Sequence, residues 1–179
     1  TDAPTLCNLA HHSYFTLGGA RISDHQLRVD AETYLPVDDE LIPTGEERAV
    51  AGTRFDFRTP APVGQAHPVD HNFCLSRERR PLRPVARLEN PATGLAMDLH
   101  TTEPGLQVYD GAKINIDLPG LTGQPMRAHA GIALEPQIWP DAHHHAGFPL
   151  AVLRPGERYA QQTQYIFAKD PTRATSTAR

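Results

Sequence analysis

A chain of 179 residues has the size of one ordinary domain. Its 17 Lys and Arg stand against 21 Asp and Glu, a net charge of −4 without the extended basic clusters that grip a nucleic-acid backbone. Apolar runs last a few residues, far short of the roughly 20 needed to cross a bilayer, while 39% hydrophobic residues are enough for a core.

Thirteen glycines and 17 prolines are spread along the chain rather than gathered in a linker, which leaves little room for long helices and favours short strands and turns. The opening Thr1-Asp2-Ala3-Pro4 reads as mid-protein sequence, with no signal or transit segment visible. After a Gly18-Gly19 turn, Leu27, Val29 and Ala31 alternate with Gln26, Arg28 and Asp30. Pro43-Thr44-Gly45 marks the next turn, and 60–68 reads as a loop. Arg77-Glu78-Arg79-Arg80 reads as a solvated hairpin tip. Beyond the turn at 90–94, Leu95, Met97 and Leu99 alternate with Ala96, Asp98 and His100. The cleanest alternation is Lys113-Ile114-Asn115-Ile116-Asp117-Leu118, ended by Pro119-Gly120. Pro155-Gly156 precedes a closing strand over 159–167, with Tyr165 and Phe167 on one face, and 171–179 is a small, polar, frayed tail. Alternation of this kind predicts an all-β, antiparallel β-sandwich, each strand burying one face.

Cys7 and Cys74 form neither a CxxC pair nor a metal-ligand spacing, and read as two unpaired thiols suited to a reducing compartment. No GxSxG, GxxxxGK[ST] or GxGxxG pattern is present, so nothing suggests a nucleotide cofactor or a serine nucleophile. The ten histidines include the runs His143-His144-His145 and His11-His12. A cupin-type metal site would need a carboxylate soon after HxH. The next one after His145 is Glu157, so no metal is expected.

Three polar groups sit in apolar or aromatic surroundings: His12 in Asn8-Leu9-Ala10-His11-His12-Ser13-Tyr14-Phe15, Asp70 in Val69-Asp70-His71-Asn72-Phe73, and Glu135 in Gly131-Ile132-Ala133-Leu134-Glu135-Pro136-Gln137. Ile132 and Leu134 would face the core, which turns Glu135 to the opposite face. A carboxylate against apolar surface has a raised pKa, the tuning a general base near neutral pH requires. Spacing alone leaves two readings open: the three residues meet in a cleft, or each is a satisfied structural polar group.

These blocks, in order, resemble the aldose 1-epimerase (galactose mutarotase) family. The segment 8–15 is similar to its NLTNHSYFNL block. Tyr34 to Glu46 resembles LPVDENLIPTGE, Gly52 to Arg58 resembles GTPFDFR, and Asp70-His71-Asn72-Phe73 matches DHNF. Thr101 to Tyr109 resembles TTEPGLQFY, Leu134 to Ala142 resembles LETQxxPDA, and Leu153 to Tyr159 matches LRPGExY. The resemblance implies a galactose mutarotase-like supersandwich, partial because residues 1–170 correspond to the C-terminal half of a longer protein. It further implies cofactor-free interconversion of α and β anomers of free hexoses such as glucose and galactose. Carried over residue by residue, His12 is the general acid and Glu135 the general base, Asp70 hydrogen-bonds sugar hydroxyls, and Tyr109 lies in a block that places an aromatic near the sugar.

The N-terminal half of the family supplies a second histidine and a substrate-binding arginine that this chain does not contain. The alternative reading is therefore a catalytically incomplete, epimerase-like carbohydrate-binding fragment. The expected partner is a small-molecule aldose, with no nucleic acid and no membrane, and exposed sheet edges would favour association between copies. The expected compartment is cytoplasmic. Against the family pattern, Pro136 replaces Thr, His11 replaces Asn, Asp110 and Ala112 alter the block after Tyr109, and the three-histidine run replaces a loop bearing Asn and Pro.

Overall fold

Frequent turns cut the chain into short strands that pair antiparallel. The computed structural model describes residues 1–19, 21–64, 68–120 and 123–169. In chain order these hold β1 (Thr5–Leu6), β2 (Tyr14–Phe15), β3 (Gln26–Val29), β4 (Thr33–Tyr34), β5 (Arg48–Ala49), β6 (Ala61–Pro62), β7 (Asp70–Cys74) and β8 (Arg83–Asn90). There follow β9 (Leu95–Thr101), β10 (Gly105–Tyr109), β11 (Ile116–Pro119), β12 (Pro125–Met126), β13 (Ile132–Gln137), β14 (Val152–Leu153) and β15 (Thr163–Lys169).

Two sheets make the sandwich. One has six strands in the order β2-β13-β10-β7-β4-β5, and the other five in the order β15-β9-β8-β3-β6. Their inner faces share one core. Phe73, Leu106, Val108, Ile132 and Leu134 come from the first sheet, and Leu27, Val29, Leu88, Met97 and Leu99 from the second. All ten are almost wholly buried, and each contributes about 1.5–3 kcal/mol of hydrophobic stabilisation. The predicted all-β sandwich and the alternation at 27–31 and 95–99 are what the structure has. A smaller cluster of Leu35, Cys74, Trp139 and Phe148 packs outside this core. Trp139 Nε1–H donates to the Pro104 carbonyl at 2.9 Å, which pins the chain leaving β13. Both cysteines are free as expected, and burial pushes the Cys74 thiol up to about 12.

Four expectations are corrected. The alternating segment 113–118 buries no face: among the described residues β11 pairs with β12 alone, in a separate two-stranded hairpin, and Ile116 and Leu118 are exposed. Arg77 to Arg80 is not a hairpin tip but a crossing between sheets, from β7 to β8. Two of its charges are paired, Arg79 with the fully buried Glu103 (Nε–Oε1 2.6 Å) and Arg77 with Glu47. Within 60–68, Ala61–Pro62 pairs with Gln26–Leu27 as a short edge strand. The closing strand is Thr163–Lys169, and Tyr159 precedes it. The tail at 171–179 lies outside the described residues.

Candidate active site

The outer face of the six-stranded sheet is polar because β7, β10 and β13 alternate in step. Leu106 and Val108 point to the core, so Gly105, Gln107 and Tyr109 point out. On β13 the inward pair is Ile132 and Leu134, leaving Ala133, Glu135 and Gln137 outward. The ladder aligns the outward residues in rows. Gln107 lies between Glu135 and Asn72, and Tyr109 lies between Ala133 and Asp70. Tyr14 of β2 extends the second row beside Ala133.

All four residues singled out from the sequence converge here. Nε2 of His12, on the segment before β2, stands 3.3 Å from Oε1 of Glu135. The Glu135 side chain is 9% exposed and that of His12 is 53% exposed. Burial raises the Glu135 pKa, and the charge of Asp70 adds to the rise while His12 opposes it. Asp70 accepts a hydrogen bond from Nε2 of Gln107 at 2.8 Å. Tyr109 meets Tyr14 edge to face at 6.1 Å, and Tyr14 meets the His12 ring at 5.2 Å. Burial also raises the Tyr14 pKa, helped by Tyr109, Glu135 and Asp70.

Two members of the face were absent from the sequence-level set. Gln107 donates to Asp70 and stands in register with Glu135 on the neighbouring strand. Its signal was present in the Leu106-Gln107-Val108 alternation, which leaves one amide on the face opposite two buried aliphatics. Tyr14 supplies an aromatic wall. Asp110, by contrast, is structural: its carboxylate accepts the Val69 and Ala112 amides at 3.1 and 3.0 Å and caps the turn after β10. Pro136 sits in the ladder opposite Leu106 and is buried. Cavities of about 350 and 240 Å³ are lined by other residues, among them Arg79 and Leu150, and one of about 310 Å³ lies beside His11. The candidate site is thus a sheet face rather than one of these pockets.

Chemically, the face presents a buried carboxylate of raised pKa beside an exposed imidazole. A second carboxylate, held by an amide, stands across the strands between aromatic walls. That set can take a proton at one atom and deliver one at another, and can bind hydroxyl groups.

The comparisons agree with one another. A family model described as aldose 1-epimerase matches residues 1–166. Human galactose mutarotase is 42% identical over 175 residues, covering 92% of this chain and 50% of the relative. The aldose 1-epimerase of Haemophilus influenzae is 33% identical, covering 93% of this chain and 52% of the relative. An aldose epimerase homologue from C. elegans superimposes with a TM-score of 0.85 at 27% identity, over 94% of this chain and 53% of that one. The galactose 1-epimerase structure from Lactobacillus acidophilus gives 0.75 at 28% identity, over 94% of this chain and 51% of that one. The chain spans about half the length of the curated relatives it matches.

Proposed function

The chain belongs to the aldose 1-epimerase family, and on that premise we propose that it carries the acid–base half-site of an enzyme that interconverts the α and β anomers of a free hexose. The observation that supports this is the 3.3 Å approach of His12 to a Glu135 held almost out of water. Ionised Glu135 takes the proton from the C1 hydroxyl, and protonated His12 gives one to the ring oxygen, so the C1–O5 bond breaks and an open aldehyde forms. Rotation about C1–C2 presents the other carbonyl face. O5 then attacks C1, His12 recovers its proton from the O5 hydroxyl, and Glu135 returns its proton to the carbonyl oxygen. Atoms balance without redox change. Asp70, oriented by Gln107, accepts hydrogen bonds from sugar hydroxyls, and Tyr14 and Tyr109 pack against the ring. Each proton transfer accounts for about 10²–10⁴-fold in rate.

Polarimetry tests the proposal. The chain should speed the mutarotation of fresh α-D-glucose or α-D-galactose over the buffer rate, and Glu135→Gln should remove the gain. If the chain gives no acceleration but binds sugar, with the affinity lost in Asp70→Ala, the fragment is a carbohydrate-binding half-site and the catalytic reading fails for this chain. If Glu135→Gln retains full activity, the assignment of the base is wrong.

A further inference from the structure

The chain leaving β13 makes a second cluster that the proposed reaction does not use. Asp141 takes the left-handed conformation (φ 58°) just before a single 3-10 turn at Ala142–His144. That geometry folds three consecutive imidazoles back toward one carboxylate. Nδ1 of His144 lies 2.5 Å from Oδ1 of Asp141, and Nδ1 of His143 lies 3.9 Å from the same oxygen. The two ring centroids lie 3.8 Å apart, tilted by 41°. On the other oxygen, Nε2 of His145 stands 3.2 Å away, buried and without a hydrogen-bond partner among the described residues. His145 is wedged between Phe148, at 4.7 Å, and the turn at Gly45, where an added Cβ would meet its ring at 2.7 Å.

We propose that Asp141, His143 and His144 form a binding site for a divalent first-row transition metal, with Zn²⁺ the ion best matched to two imidazoles and a carboxylate. The ligand atoms of the three residues all lie within 4.8 Å of one another. Bonds of about 2.0–2.2 Å to a tetrahedral ion hold neighbouring donors roughly 3.3 Å apart, and the distances of 2.5 and 3.9 Å bracket that value. Two imidazole nitrogens are aimed at one carboxylate oxygen. One cation between them satisfies both nitrogens and the carboxylate. The other carboxylate oxygen faces the buried Nε2 of His145 at 3.2 Å. The carboxylate of this cluster lies upstream of the histidine run, two residues before His143, and not downstream at Glu157.

The site is tested on the full chain, stripped with a chelator, by titrating Zn²⁺ calorimetrically and Co²⁺ by its visible d–d absorption. The expected result is one ion per chain, binding at least tenfold weaker in H143A/H144A and in D141N, and unchanged in H12A. Asparagine tolerates the left-handed conformation and His143 and His144 are exposed, so these variants keep the fold. Circular dichroism checks that. The proposal is overturned if no ion binds stoichiometrically, if D141N binds as well as the parent (chelation by the histidine run alone), or if H12A abolishes binding (an ion at the sheet face).

Discussion

His12 and Glu135 face each other across 3.3 Å with opposite access to water: the carboxylate is nearly enclosed and half of the imidazole is open. Burial raises the pKa of Glu135, so ionising it in the folded chain costs more than in the unfolded one. Below the unfolded value both states hold the proton and there is no cost; as pH rises through the folded value the cost appears in full. Glu135→Gln is therefore expected to melt higher than the parent at neutral pH, with the gap closing in acid, although it loses activity. The acid limb of the activity profile is expected to lie above the ordinary glutamate range. Melting curves and rates over a pH series read both.

His71 supplies a pH dependence of opposite sign. Its ring packs against Phe55 at 4.4 Å and Tyr34 at 5.8 Å, and burial, with Arg54 nearby, lowers its pKa from 6.5 to about 4. The unfolded chain binds a proton there that the folded chain refuses, so stability is complete above 6.5 and drains away as pH falls toward 4. His25, fully buried and accepting the Leu17 amide at Nε2, is lowered in the same direction. His71→Gln should flatten part of that acid loss in denaturant titrations, leaving the share due to His25.

Glu103 is wholly buried and depends on Arg79, whose Nε and Nη2 donate at 2.6 and 3.2 Å. Removing the guanidinium strands a charge away from water. Arg79→Ala is expected to cost about 3 kcal/mol in urea unfolding, the low end for a broken buried pair because a third of the Arg79 side chain reaches solvent. A loss below about 1 kcal/mol would show that water replaces the arginine.

Gly105 begins β10 where the backbone passes beneath Trp139. A Cβ there would lie 2.5 Å from Oδ1 of Asn72, 2.8 Å from the Trp139 ring and 3.0 Å from the Gln137 carbonyl. Gly105→Ala should destabilise by about 1–3 kcal/mol through overpacking. Trp139 fluorescence should shift with it, since that indole is the chain's single tryptophan.

The sandwich and the site were legible to different depths. Val29, Met97 and Leu134 announced their inward faces because a strand in the middle of a sheet has one buried side and no freedom to hide it. Glu135 could be placed on the outward face by the same parity. Ile116 and Leu118 show the same alternation without burial, because a pattern names the face but not whether anything covers it. Gln107 is harder to read from the sequence, because a neutral amide does not stand out as a charge does. Arg79 read as a solvated cation because its partner Glu103 is 24 residues away. The convergence of Asp141 with His144 is not legible in the sequence, because it needs a left-handed residue at a position that is not glycine.

The ladder that sets Gln107 opposite both Glu135 and Asn72 also sets Leu106 and Val108 against the core. A slip of β10 by one residue would bury the amide and carry two aliphatics to the outer, polar face. Chemistry and core are thus the two sides of a single pairing decision. A misregistered chain loses both together, and one that packs its aliphatics correctly has, by the same act, already assembled its polar row.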